Sequence, residues 1–199
     1  MKLPILRLKV NHMVSQILVT PVAKSLHTIH VSANMLTLVG LLFTCGAAYL
    51  VSEGHFLYGA LILILGSSMD MLDGAVARLS GNSSIFGAFL DSTTDRLGEA
   101  ILLFGFLLYY ARQAEASAIY IIFGALVASF MVSYSRARAE GLRVPGDVGL
   151  MGRPERLLVL IIGLILGYPL YSLGIILAFS IVTAIQRFWH VYKSGSKNS

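Results

Sequence analysis

Six apolar runs, at about 34–51, 56–77, 85–110, 116–134, 156–168 and 170–188, leave this 199-residue chain little choice of solvent. Each crossing of a hydrocarbon core needs roughly 20 mostly apolar residues, and polar connections use up the rest of the chain. Short polar hinges separate them, Ser52-Glu53-Gly54-His55 and Arg112-Gln113-Ala114-Glu115 among them, while Gly167-Tyr168-Pro169 divides the last two. Only 13% of the residues are charged, against about 25% in soluble domains. The expected fold is all-α: a polytopic membrane protein of six transmembrane helices in a single domain, 1–199. Ahead of the bundle at 34–192, apolar and polar residues interleave through 4–27, which predicts an amphipathic interfacial helix within 1–30. The tail 193–199 is polar and expected to fray, and no cleavable leader is expected at the start.

The net charge of +5 invites a nucleic-acid reading, but the basic residues gather at the ends of apolar runs and form no exposed stripe. Lys2, Arg7, Lys9, Lys24, Arg78, Arg136, Arg138, Arg143, Arg153, Arg156, Arg187, Lys193 and Lys197 fall on one side of the expected bundle and Arg112 on the other. That asymmetry puts both termini in the cytoplasm and favours anionic lipid over nucleic acid as partner. The single cysteine, Cys45, lies in an apolar run and excludes an intrachain disulfide.

Four acids stand inside this apolar pattern. Asp70 and Asp73 close the second run; Asp91 and Asp95 open the third. Spacings of three and four residues put each pair on one helical face. The short polar turn 79–84 makes the two helices antiparallel and brings the pairs to one depth. An acid at mid-membrane costs about 2.5–3.5 kcal/mol on insertion scales, so four together need a compensating charge, a polar cavity or a depth near the interface; divalent cations are the simplest remedy, and oxygen ligands favour Mg, Mn or Ca over zinc. Gly74 beside Asp73 and Gly87 one turn before Asp91 remove bulk next to the acids, and Arg78 offers a planar cation suited to a diphosphate.

Asp70-Met71-Leu72-Asp73-Gly74-Ala75-Val76-Ala77-Arg78, followed by Gly87, Asp91 and Asp95, resembles the signature of the CDP-alcohol phosphatidyltransferases. The resemblance implies that Asp70, Asp73, Asp91 and Asp95 hold two metal ions, Mg2+ or Mn2+, that grip the diphosphate of a CDP-linked lipid. It also implies that Asp95 is the general base and that Gly74, Arg78 and Ser84 touch the CDP moiety. Upstream, Val31-Ser32-Ala33-Asn34-Met35-Leu36-Thr37 is similar to the stretch that opens the first span in that family; Asn34 and Thr37 match CDP-lipid positions, and Ala33 stands where a proline is usual. Asn34 also reads as an ordinary N-cap.

Ser133-Tyr134-Ser135-Arg136-Ala137-Arg138-Ala139-Glu140 and Gly152-Arg153-Pro154-Glu155-Arg156 resemble the phosphatidylinositol-phosphate and archaetidylinositol-phosphate synthase branch, whose acceptor is an inositol phosphate. The acceptor is then a soluble phosphorylated polyol, its phosphate expected on Ser133, Arg136, Arg153 and Arg187. Arg136 replaces the lysine usual in that branch, which keeps glycerol 3-phosphate open as acceptor. Anchoring at the membrane face and pairing with Glu140 and Glu155 is the structural alternative for these arginines. A homodimer is implied by the family alone. An ion-coupled transporter is the rival from another class; against it, the acids cluster at two adjoining helix ends on the cytoplasmic side, with no acidic trail through the remaining spans. Glu99 continues the Asp91 and Asp95 face and is expected to pair with Arg96 or another basic group. Trp189, Tyr192, Tyr109 and Tyr110 read as interfacial belt residues.

Overall fold

The computed structural model describes residues 19–80 and 84–195, with only the backbone of His27. The stretch of the expected interfacial helix before residue 19, the centre of the 79–84 turn and the end of the polar tail lie outside the described residues.

Seven helices follow one another among the described residues: α1 (Thr20–Thr28), α2 (Ala33–Ser52), α3 (Phe56–Leu79), α4 (Ile85–Arg112), α5 (Ala116–Gly141), α6 (Arg153–Ile165) and α7 (Pro169–Gly195). Four of them, α2, α3, α5 and α7, are long and apolar enough to cross a membrane. α4 has the length, 28 residues, but carries Asp91, Asp95, Arg96 and Glu99. α6 has only 13 residues, about 20 Å of helix.

The turns fall where the hinges were read. After α2 the chain reverses at Gly54, whose φ of 80° suits a residue without a side chain and whose open face is covered by the Tyr109 ring. Tyr168 donates its N–H to the Gly163 carbonyl at 2.8 Å and closes the end of α6 beside Gly167, φ 75°. Arg112, at the end of α4, donates to the Ser52 carbonyl at 3.2 Å and to Glu53 Oε1 at 2.8 Å, so the guanidinium holds the Glu53 carboxyl below its ordinary range.

The chain divides into two compact units, Met1–Cys45 with Ile62–Gly98, and Gly46–Leu61 with Glu99–Ser199. In the first, Val19, just ahead of α1, and Ala23 on it cluster with Leu36 of α2 and Ala75 and Val76 of α3. α2 opens on Ser32, whose hydroxyl accepts the Met35 N–H at 3.2 Å. Ser32 therefore caps this helix, and Asn34 sits inside its first turn.

In the second unit α5 and α6 both pack on α7. Small side chains, Ala125, Ala128, Ser129 and Ser180, line the buried faces of α5 and α7 and let their backbones approach. The segment between α5 and α6 is strapped to α7: Arg187 Nε donates to the Val148 carbonyl at 2.8 Å, and the Met151 N–H donates to Thr183 Oγ1 at 2.9 Å. Gly105 of α4 lies against the Ala48 backbone of α2, where a Cβ would collide with the carbonyl. Gly105→Ala is therefore expected to destabilise the protein by about 1–3 kcal/mol despite its better helix propensity, read as a lower melting temperature in detergent.

Candidate active site

The first unit contains all four aspartates of the sequence motif. Asp73 is the buried one, 6% exposed. Thr37 of α2, itself buried, donates its hydroxyl to Asp73 Oδ2 at 2.6 Å. The same hydroxyl is within 3.1 Å of the Ala33 carbonyl, but it has one proton, and the shorter, charge-assisted bond to the carboxylate is the stronger use of it. Thr37 thus fixes one oxygen of Asp73. Asp70 and Asp91 lie within electrostatic reach of Asp73. Asp95 follows Asp91 by one turn on α4.

Around these acids the glycines act as spaces. Arg78 Nη1 comes to 3.4 Å from where a Cβ of Gly74 would stand, so the guanidinium lies over the glycine. At Gly87 the corresponding neighbours are Ser84 Oγ at 3.1 Å and Asn34 Oδ1 at 3.2 Å. Asn34 therefore reaches α4 with its carboxamide. Ser84 accepts the Gly87 N–H at 2.9 Å and serves as N-cap of α4. Gly40 and Gly66 were passed over in the apolar pattern. They let α2 and α3 touch backbone to backbone, and Asp70 Oδ1 occupies the space beside Gly40, 3.1 Å from a Cβ built there. A glycine inside an apolar run carries no chemical label, and only its neighbours reveal its use.

Among the described residues no three His, Cys, Asp or Glu side chains form a closed metal-holding group. Asp70, Asp73 and Asp91 share a neighbourhood. Their donor set is oxygen alone, which is the chemistry of Mg and Mn sites and not of zinc.

The second unit contains Arg136, Arg153, Arg156 and Arg187. Arg136 Nε donates to Glu140 Oε1 at 2.9 Å and its Nη1 stands 3.5 Å from Asp147. Arg187 is buried, 5% exposed, with Nε on the Val148 carbonyl and Nη1 on the Val132 carbonyl. Arg136, Arg156, Glu140 and Asp147 all lie within its electrostatic reach. Ser133 stands half-buried one turn before Arg136 on α5, and Arg153 half-buried in the first turn of α6. Arg156 belongs to a pair the sequence did not reveal: it holds Glu99 through Nε at 2.6 Å and Nη2 at 2.7 Å. Arg96, the nearer candidate for Glu99 in sequence, turns back to the Ser92 carbonyl.

Residues 30–186 match the profile of the CDP-alcohol phosphatidyltransferases. The chain is 39% identical over 191 residues to a phosphatidylinositol phosphate synthase of Corynebacterium glutamicum, covering 90% of this chain and 86% of that one. It is 36% identical over 174 residues to an archaetidylinositol phosphate synthase of Pyrococcus horikoshii, covering 86% and 89%. A crystal structure of Mycobacterium tuberculosis phosphatidylinositol phosphate synthase with CDP-DAG bound superposes with a TM-score of 0.82 at 29% identity, over 88% of this chain and 94% of that one. A second structure of that enzyme, in complex with manganese and citrate, has the same TM-score and identity and covers 88% and 89%. The chain is a membrane enzyme that belongs to the CDP-alcohol phosphatidyltransferase family.

Proposed function

We propose that this protein transfers the phosphatidyl-type group of a CDP-linked lipid, CDP-diacylglycerol or CDP-archaeol, to a hydroxyl of inositol phosphate and releases CMP. The observation that carries the reading is the pairing of two chemistries in one chain: a carboxylate group around Asp73 and Thr37 in one unit, and an arginine group around Arg187 in the other. The names of the relatives, phosphatidylinositol phosphate synthase and archaetidylinositol phosphate synthase, agree with it.

In this reading Asp70, Asp73, Asp91 and Asp95 hold two divalent ions, Mg2+ or Mn2+, after rotation of their side chains. Bound there, the ions would neutralise the diphosphate and lower the barrier to its cleavage. Asn34, Thr37, Gly74, Arg78 and Ser84 face the CDP moiety. Asp95 accepts the proton of the acceptor hydroxyl. The freed oxygen attacks the lipid-side phosphorus, the bond to the CMP oxygen breaks, and CMP leaves with the electron pair. Ser133, Arg136, Arg153 and Arg187 bind the acceptor phosphate. Arg136 enters this role already engaged by Glu140 and Asp147, so a phosphate there must displace or share those carboxylates.

The profile match runs through residues of both units, which supports one catalytic domain. We read α4 and α6 as two further crossings beside the four apolar helices, α6 requiring its flanks or a locally thinner bilayer to span. With an interfacial element ahead of α2, the bundle has six crossings and its active site faces the cytoplasm. The protein is read as a homodimer on the family resemblance.

The test of function is CMP release by purified protein with CDP-diacylglycerol and Mg2+, comparing inositol 1-phosphate, free inositol, glycerol 3-phosphate and serine. Stimulation by inositol 1-phosphate alone supports the proposal. Stimulation by glycerol 3-phosphate alone replaces the acceptor and keeps the carboxylate chemistry; Arg136, a guanidinium where the branch usually has an ammonium, is the residue that keeps this second reading in view. The Thr37 bond gives a further prediction. Thr37→Val removes a charge-assisted hydrogen bond worth about 1.5–3 kcal/mol, so the Mg2+ concentration at half-maximal activity should shift several-fold, measured by metal titration of CMP release.

A further inference from the structure

Glu99 extends the Asp91 and Asp95 face of α4 by one turn, yet its partner lies 57 residues away on α6. Arg156 meets it edge to edge, two parallel bonds of 2.6 and 2.7 Å joining planar guanidinium to planar carboxylate. Both residues belong to the second unit; the Arg156 side chain is 2% exposed and that of Glu99 18%. The remaining nitrogen, Arg156 Nη1, is buried without a hydrogen-bond partner among the described residues.

A buried ion pair that leaves a donor unmatched is an inefficient way to stabilise a helix bundle, because apolar side chains of similar volume do as well or better. What the fork adds is direction. Two parallel bonds fix the rotation and height of one helix against another, whereas apolar contacts tolerate sliding. The helix held this way is the short α6, whose N-cap, Gly152, makes no side-chain capping bond. Its start is tied to α7 by the Met151 N–H on Thr183 and to α4 by Arg156 on Glu99. Arg153 stands between those two ties, two residues after Met151 and one turn before Arg156.

We infer that Glu99 and Arg156 are positioning residues: they set the orientation of the first turn of α6 and thereby of Arg153 toward the acceptor phosphate. The inference rests on the acceptor reading given above. It gives the RPER segment two tasks, with Arg153 reaching the anion and Arg156 aiming it.

The experiment compares wild type, Glu99→Met/Arg156→Met and Arg153→Ala, using whichever of inositol 1-phosphate or glycerol 3-phosphate supports wild-type turnover. The double variant replaces the ion pair with apolar bulk and should melt at or above the wild-type temperature in detergent. Its KM for the acceptor should rise about tenfold or more, as misplacement of a binding group predicts, with KM for CDP-diacylglycerol within about twofold. An unchanged acceptor KM in the folded double variant, or an equal rise in both KM values, overturns the inference. An unchanged acceptor KM in Arg153→Ala removes the acceptor reading and the inference with it; a rise there without one in the double variant removes the inference alone. Should the double variant not fold, Arg156→Lys, which keeps the charge and loses the fork, carries the same test: a raised acceptor KM with normal CDP-diacylglycerol KM supports positioning, and wild-type values overturn it.

Discussion

Asp95→Asn is expected to lower CMP release by about 10²–10⁴-fold, the range that a general base supplies, while the protein still folds and still binds CDP-lipid. Asparagine keeps the size and one oxygen of the side chain but has no site to receive the acceptor proton. It also removes one negative charge from the acidic group, and that favours folding. Loss of activity therefore does not arise from loss of structure in this variant, and a melting curve in detergent with and without CDP-diacylglycerol and Mg2+ separates the two. Turnover within a few-fold of wild type would transfer the base role to another group and leave Asp95 as a ligand only.

Removal of divalent metal is expected to be as complete in its effect. With chelator present, the carboxylates near Asp73 have no counter-charge for the diphosphate, and binding sets like against like. CMP release should fall to background and return on addition of Mg2+ or Mn2+. Zinc should restore little, because the aspartates offer oxygen ligands, which suit Mg and Mn better than zinc. Equal rescue by zinc, or undiminished activity in chelator, would refute the oxygen-ligand reading. In parallel, Mg2+ should raise the melting temperature of wild type by linkage, and by less in Asp73→Asn.

The apolar runs located the helices well wherever apolar run and helix end together. The expected 34–51 and 85–110 became Ala33–Ser52 and Ile85–Arg112. They failed where a helix outlasts its apolar part: the run ending at 134 continues to Gly141 through Ser135-Arg136-Ala137-Arg138-Ala139-Glu140. Alanine, arginine and glutamate are good helix formers, so the polarity that ended the run did not end the helix. The aspartates were legible because an acid in an apolar stretch is costly and its spacing is a helical face. Thr37 stood out only through the family resemblance, and neither its bond to Asp73 nor the use of Gly40 was legible, since threonine is common in helices and glycine has no side chain to read; each acquires meaning through a neighbour more than 25 residues away, Asp73 and Asp70. Asn34 looked like a cap until Ser32 took that place. Glu99 found its partner across 57 residues instead of three, while Arg96 donates to the Ser92 carbonyl in its own helix.

The backbone contact at Gly40 and Gly66 limits how this protein can be made hardier. Exchanging a helical glycine for alanine is a standard stabilising move, since it restricts the unfolded chain. At Gly40 the added methyl would enter the space that Asp70 Oδ1 occupies and press on the facing backbone. Selection for heat resistance would thus meet selection for turnover at a residue with no functional group, and the first unit has to find its rigidity elsewhere in its sequence.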